Sequence, residues 1–251
     1  MSKLNKNSDN YILIFAVVMT VVLGAVLSFV SLSLAGTQQA ERDFEQKKFI
    51  LLSVMGAGKV EAMSQPEVVA MYDAQVVDFV VDQTGKKIEN LAAKDVVVGK
   101  EYKKLNKDGT VKEGEILKMP VYQFKSAEGV VLNYILPSYG FGLWDNIWGF
   151  VALESDLNTI KGVIFDHKGE TPGLGARITE AKVQDRFVGK KMFDANGVAA
   201  LELMKGEGND YSNEVNKVDG MSGATLTSNG LNHMFTNYFN LYKNYFSTIK
   251  S

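Results

Sequence analysis

The sequence predicts an α+β fold in which a single N-terminal transmembrane helix precedes a domain built on a mixed sheet. Three observations carry this expectation. An uncharged apolar stretch near the N-terminus is long enough to cross a bilayer, four short segments between residues 121 and 166 have strand composition, and residues 228–247 carry an aromatic stripe at helical spacing.

Residues 1–10 read as a polar tail containing Lys3 and Lys6. Residues 11–35, YILIFAVVMTVVLGAVLSFVSLSLA, follow, and no charge occurs from Asn10 to Ala40. A bilayer core takes about 20 such residues in a helix, and a buried core helix seldom runs that far without a charge. Ser33 and Ala35 put small residues where a signal peptidase would use them, but the stretch is about twice the roughly 7–15 residues of a signal core. It reads as a retained anchor in a single-pass protein. Lys3 and Lys6 lie on one side and Arg42, Lys47 and Lys48 on the other, so charge counting leaves the orientation open.

Residues 36–58 place Ala40, Phe44, Phe49, Leu51, Leu52 and Met55 among charges, the pattern of a stalk helix that packs onto a domain, ended by Gly56 and Gly58. Residues 59–251 form the expected soluble domain. Within it, residues 82–119 are rich in Lys, Glu, Asp and Gly, which predicts an insertion or exposed hairpins. Val121 to Phe124, Val130 to Leu136, Gly149 to Glu154 and Thr159 to Asp166 are β-branched or aromatic runs bounded by Gly, Asn or Pro, hence strands. Leu231, Phe235, Tyr238, Tyr242 and Tyr245 then mark an amphipathic closing helix from about Ser228 to Ser247.

Composition narrows the chemistry. There are 27 basic and 29 acidic residues, a net charge of -2, so there is no electrostatic footprint for nucleic acid. The absence of cysteine removes disulfides, thiolate metal sites, iron-sulfur clusters and Cys nucleophiles together. His167 and His233 alone are too few soft ligands for a metal cluster or bis-His haem. Redox chemistry would therefore have to come from another cofactor.

Three glycine-containing segments stand out: 140–144 (GFGLW), 170–175 (ETPGLG) and 219–225 (DGMSGAT). Each is compatible with a simple turn. The third leads through Thr225-Leu226-Thr227-Ser228 into the closing helix, where unpaired backbone N–H groups and the positive end of the helix dipole suit a phosphate. Helix capping is the ordinary job of Thr and Ser at such a place, so this physics alone leaves both readings open.

Segment 219–225 also matches D-G-x-[ST]-G-A-T at every fixed position, and with Phe187-Val188-Gly189-Lys190-Lys191 and the other two segments in order, the chain resembles the covalent FMN-binding domain family. That family includes the C subunits of sodium-translocating NADH:quinone oxidoreductases and, more distantly, the G subunits of Rnf-type ferredoxin:NAD oxidoreductases. The resemblance implies an FMN joined by a phosphoester to Thr225, installed from FAD by a separate magnesium-dependent flavin transferase. Under it, Ser222, Gly223 and Ala224 keep the acceptor loop small, Gly220 leaves backbone N–H groups accessible, and Leu226 follows the loop. Asp219 fixes the loop or helps bind metal in the transferase, an ordinary turn aspartate being an equal reading. Leu143 and Trp144 are the candidates for one wall of the flavin, although a Trp anchoring the core is an equal reading. Thr171, Gly173 and Leu174 would approach the ring or ribityl chain, and His167 just before them reads as a structural or exposed histidine rather than one that touches the loop.

The implied function is electron relay among the subunits of a NADH:quinone reductase in the bacterial inner membrane, with the domain on the periplasmic side. The implied partners are those subunits, the transferase and the lipid bilayer, with no nucleic acid. A stand-alone extracytoplasmic flavoprotein, or an anchored module without flavin, fits the residues taken one by one.

Overall fold

A computed structural model of the chain describes residues 8–250, so Lys3 and Lys6 of the predicted tail lie outside the described residues. The chain divides into two compact units, Met1–Glu45 and Gln46–Ser251. In the first, helix α1 (Asp9–Met55) begins, and its apolar side chains from Ile12 to Leu34 are exposed. It is the one helix among the described residues long and apolar enough to cross a membrane.

Within the second unit, the last turns of α1 bury Ile50, Leu51 and Val54, and Gln46 Nε2 donates to the Tyr122 hydroxyl at 2.6 Å. The short α2 (Ala57–Val60) and α3 (Gln65–Gln75) follow. Ser64 and Glu67 form a capping box at the start of α3, the Glu67 carboxylate accepting from the Ser64 N–H at 2.7 Å.

Strands β1 (Val76–Val81), β2 (Lys87–Ile88), β3 (Met119–Lys125), β4 (Val131–Phe141), β5 (Asn146–Glu154) and β6 (Ile160–His167) form one sheet in the order β2-β1-β3-β4-β5-β6. Every pairing in it is antiparallel. The parallel pairing needed for a mixture of orientations stands apart, between β7 (Glu202–Leu203) and β8 (Lys217–Val218). The four predicted strands coincide with β3 to β6, whereas β1 is an addition to them. Residues 82–119 contain β2 and the short helix α4 (Val98–Tyr102), and they bury Ala93, Leu105, Leu117 and Met119.

After β6 come a 3-10 turn at Gly175–Thr179 and the short α5 (Ala181–Gln184), and the closing helix α6 runs Thr225–Lys250, three residues earlier than the stripe alone indicates. Leu231, Phe235, Tyr238, Phe239 and Tyr242 are all buried on one side of α6. Each such side chain stabilises the fold by roughly 1.5–3 kcal/mol through burial. The Tyr242 hydroxyl donates to the carbonyls of Pro120 (2.9 Å) and Pro137 (3.1 Å), which ties α6 to β3 and β4. This packing fixes where the N-terminus of α6 emerges.

Candidate functional site

The three glycine-containing segments meet at the start of α6. The turn between β4 and β5 brings Leu143, the loop after β6 brings Glu170, Thr171, Leu174 and Gly175, and the helix entry brings Gly223, Ala224, Thr225, Leu226 and Thr227. Together they line an open cleft of about 180 Å³. Pockets for drug-sized ligands run to about 300–1,000 Å³, so this one holds part of a larger molecule and leaves the rest at the surface.

Thr225 is the first residue of α6, half-buried, and its hydroxyl has no hydrogen-bond partner among the described residues. Ser228 N–H donates to the Ala224 carbonyl at 2.9 Å, which closes the first helical bond. The N–H groups of Thr225, Leu226 and Thr227 precede that bond and have no carbonyl four residues back within the helix. The positive end of the dipole and these donors thus sit at the free Thr225 hydroxyl.

The cleft has an apolar rim. Leu143, Leu174 and Leu226 are 41%, 42% and 57% exposed, and Trp144 beside them is 64% exposed. Trp144 is therefore no core anchor. Its indole Nε1 donates to Thr171 Oγ1 at 3.1 Å, which links the β4–β5 turn to the loop after β6. Gly173 takes a positive φ of 75° within that loop and lies off the lining.

The floor is organised by Glu170, which is 4% exposed. Its Oε1 accepts from the N–H groups of Leu143 and Trp144, both at 2.9 Å, and its Oε2 accepts from Thr227 Oγ1 at 2.5 Å. Burial pushes the carboxyl up, but the bonds from Thr227 and the backbone outweigh it and hold Glu170 below the usual glutamate range. His167 does reach this loop, its Nδ1 accepting the Glu170 N–H at 3.2 Å. An added Cβ on Gly142 or Gly175 would collide with the Glu170 carboxylate.

The first half of the 219–225 segment faces away from the cleft. The Asp219 carboxylate accepts from the N–H groups of Gly208 (2.8 Å) and Asn209 (3.1 Å), and so holds the preceding loop. Arg186 donates to the carbonyls of Asp219 and Gly220, and Glu207 bridges Arg177 at 2.6 Å and Arg186 at 2.8 Å. Ser222 is exposed and its N–H donates to Glu207 Oε2 at 3.1 Å. Gly220 is required sterically, because a Cβ there would run into the Met204 carbonyl oxygen.

Of the residues expected from sequence, Leu143, Thr171, Leu174, Gly223, Ala224, Thr225 and Leu226 line the cleft and Trp144 flanks it. Asp219, Gly220 and Ser222 brace the loop from behind. Sequence reasoning missed Glu170 and Thr227 as site residues. The available signal was an acid directly preceding Thr-Pro-Gly-Leu-Gly at a strand end, paired with a second Thr in the helix entry.

The family model described as "FMN-binding domain" matches residues 142–240, which contain the whole cleft. The C subunit of the Na(+)-translocating NADH-quinone reductase of Haemophilus ducreyi is 32% identical over 249 residues, covering 95% of this chain and 93% of the relative. Its counterpart in Pseudomonas aeruginosa is 31% identical, covering 92% and 91%. Among solved structures, the same protein from Parabacteroides distasonis superposes with a TM-score of 0.70 at 30% identity, covering 84% of this chain and 96% of its own. Shewanella oneidensis NqrC gives 0.73 at 26% identity, covering 84% and 99%.

Proposed function

Since the chain belongs to the family of C subunits of Na(+)-translocating NADH-quinone reductases, we propose that it carries FMN as a phosphoester on Thr225 and relays electrons within such a complex. The observation that carries this reading is the free Thr225 hydroxyl at the N-terminus of α6, set in a cleft inside the FMN-binding domain.

The residues present fit the group. The first turn of α6 supplies backbone donors and the positive dipole end to a phosphoryl group on its own Thr225. Leu143, Leu174, Leu226 and the Trp144 indole offer apolar surface for a flat ring, and Thr171 offers a hydroxyl beside it. FMN bound there supplies reversible electron transfer. The protein's part is to hold the ring at an open surface within reach of its neighbours in the complex. Glu207, Arg177 and Arg186 keep the acceptor loop in shape from behind. In this reading a flavin transferase loads Thr225, the other subunits are the electron partners, and α1 crosses the inner membrane once with the FMN-binding domain on the periplasmic side.

Intact-protein mass measurement tests the attachment, with wild type and Thr225→Ala produced in a host that supplies the transferase. Wild type is expected to carry an FMN adduct that Thr225→Ala lacks. The same adduct on both, or on neither, would remove Thr225 from this role.

A further inference from the structure

A buried carboxylate at the floor of a redox cleft is an electrostatic element in its own right. Glu170 is 4% exposed, lines the cleft, and is held by two backbone N–H groups and one hydroxyl. No cation pairs with it among the described residues. The titratable groups on the segments that form the cleft floor are Asp145, Asp166, His167 and Lys168, with Arg177 on the following 3-10 turn paired to Glu180 and Glu207. Asp145 and Lys168 pair with each other at 3.1 Å, and the His167 ring accepts the Glu170 N–H through Nδ1. The carboxylate charge is thus stabilised by hydrogen bonds from neutral donors and keeps its sign, in a medium where a unit charge acts more strongly than in water.

Resting on the assignment of FMN to Thr225, we propose that Glu170 is the residue that sets the potential of the flavin in this cleft, its fixed negative charge opposing electron arrival. The same carboxylate joins the Leu143–Trp144 turn to Thr227 in the first turn of α6, so a structural role must be separated from the charge. Two variants do this. Glu170→Gln removes the charge and keeps the shape, while Thr227→Val breaks the link to α6 and keeps the charge.

The experiment is a spectroelectrochemical titration of FMN-loaded protein at neutral pH, with loading checked by intact mass. Glu170→Gln is expected to have a more positive midpoint potential than wild type, and Thr227→Val, which keeps the charge, to shift by less than Glu170→Gln. Equal potentials for wild type and Glu170→Gln at equal loading overturn the proposal. So does an equal shift in both variants, which would assign the effect to the hydrogen-bonded link.

If Glu170→Gln does not fold, Thr227→Val decides alone. Losing one donor raises the Glu170 pKa toward the ordinary range, so the potential of this variant should climb more steeply than wild type as pH falls through that range. Identical pH profiles would overturn the proposal. A wild type without the FMN adduct would instead refute the Thr225 assignment on which the inference rests.

Discussion

The residues of the 219–225 segment divide into those that face the cleft and those that face the rest of the domain. The position of Thr225 at a helix entry was legible in the sequence because it is local, a hydroxyl that follows a run of small residues and precedes the aromatic stripe. Glu170 was not, because its partners lie 26, 27 and 57 residues away and no periodicity announces them. Gly220 shows the cost of the inward-facing half. Alanine there must displace the Met204 carbonyl, a backbone atom, and so should lower stability by about 1–3 kcal/mol, the range for overpacking a filled site. Chemical denaturation of Gly220→Ala against wild type measures it, and an unchanged midpoint would contradict the packing described.

The elements repeat this contrast between local and distant information. Strands β3 to β6 were legible from β-branched runs bounded by turn residues. β1 (VVDFVV) carries a similar run, but its place beside β3 depends on a partner that starts 38 residues past its end, so its membership in the sheet is a tertiary fact. The parallel pair β7–β8 is too short to register as a pattern. Around α5 and the helix entry, Glu207 couples the 3-10 turn holding Arg177 to Arg186 and the Ser222 N–H. Bonds from Arg177, Arg186 and Ser222 depress the Glu207 carboxyl well below the usual range. A depressed folded-state value stabilises the fold above the unfolded pKa of about 4.3, and that contribution is lost as pH falls through the folded value. Glu207→Gln should therefore melt below wild type at pH 7, with the gap narrowing in acid as wild-type Glu207 takes up its proton. Thermal unfolding from pH 7 downward measures this, and a gap that does not depend on pH would sink it.

At the scale of the whole molecule, composition and hydropathy gave the coarse plan of an apolar N-terminal helix followed by an α+β domain, and the relatives share that length of chain. The order of strands, the separation of parallel from antiparallel pairing and the convergence of three loops on α6 came only with the fold. Removing residues 1–35 leaves Gln46–Met55, whose buried side chains belong to the folded unit. The shortened chain should fractionate as soluble protein with an unchanged unfolding midpoint, while the full chain sediments with membranes. Soluble recovery of the full chain without detergent would argue against the anchor. The apolar rim formed by Leu143, Trp144, Leu174 and Leu226 has a consequence for the chain's life before maturation. If FMN takes the cleft as proposed, its ring covers a greasy patch that a bare copy shows to water, and the cofactor-free protein is then expected to be the colloidally fragile form. Under the same proposal, loading the cleft is expected to protect the chain against self-association.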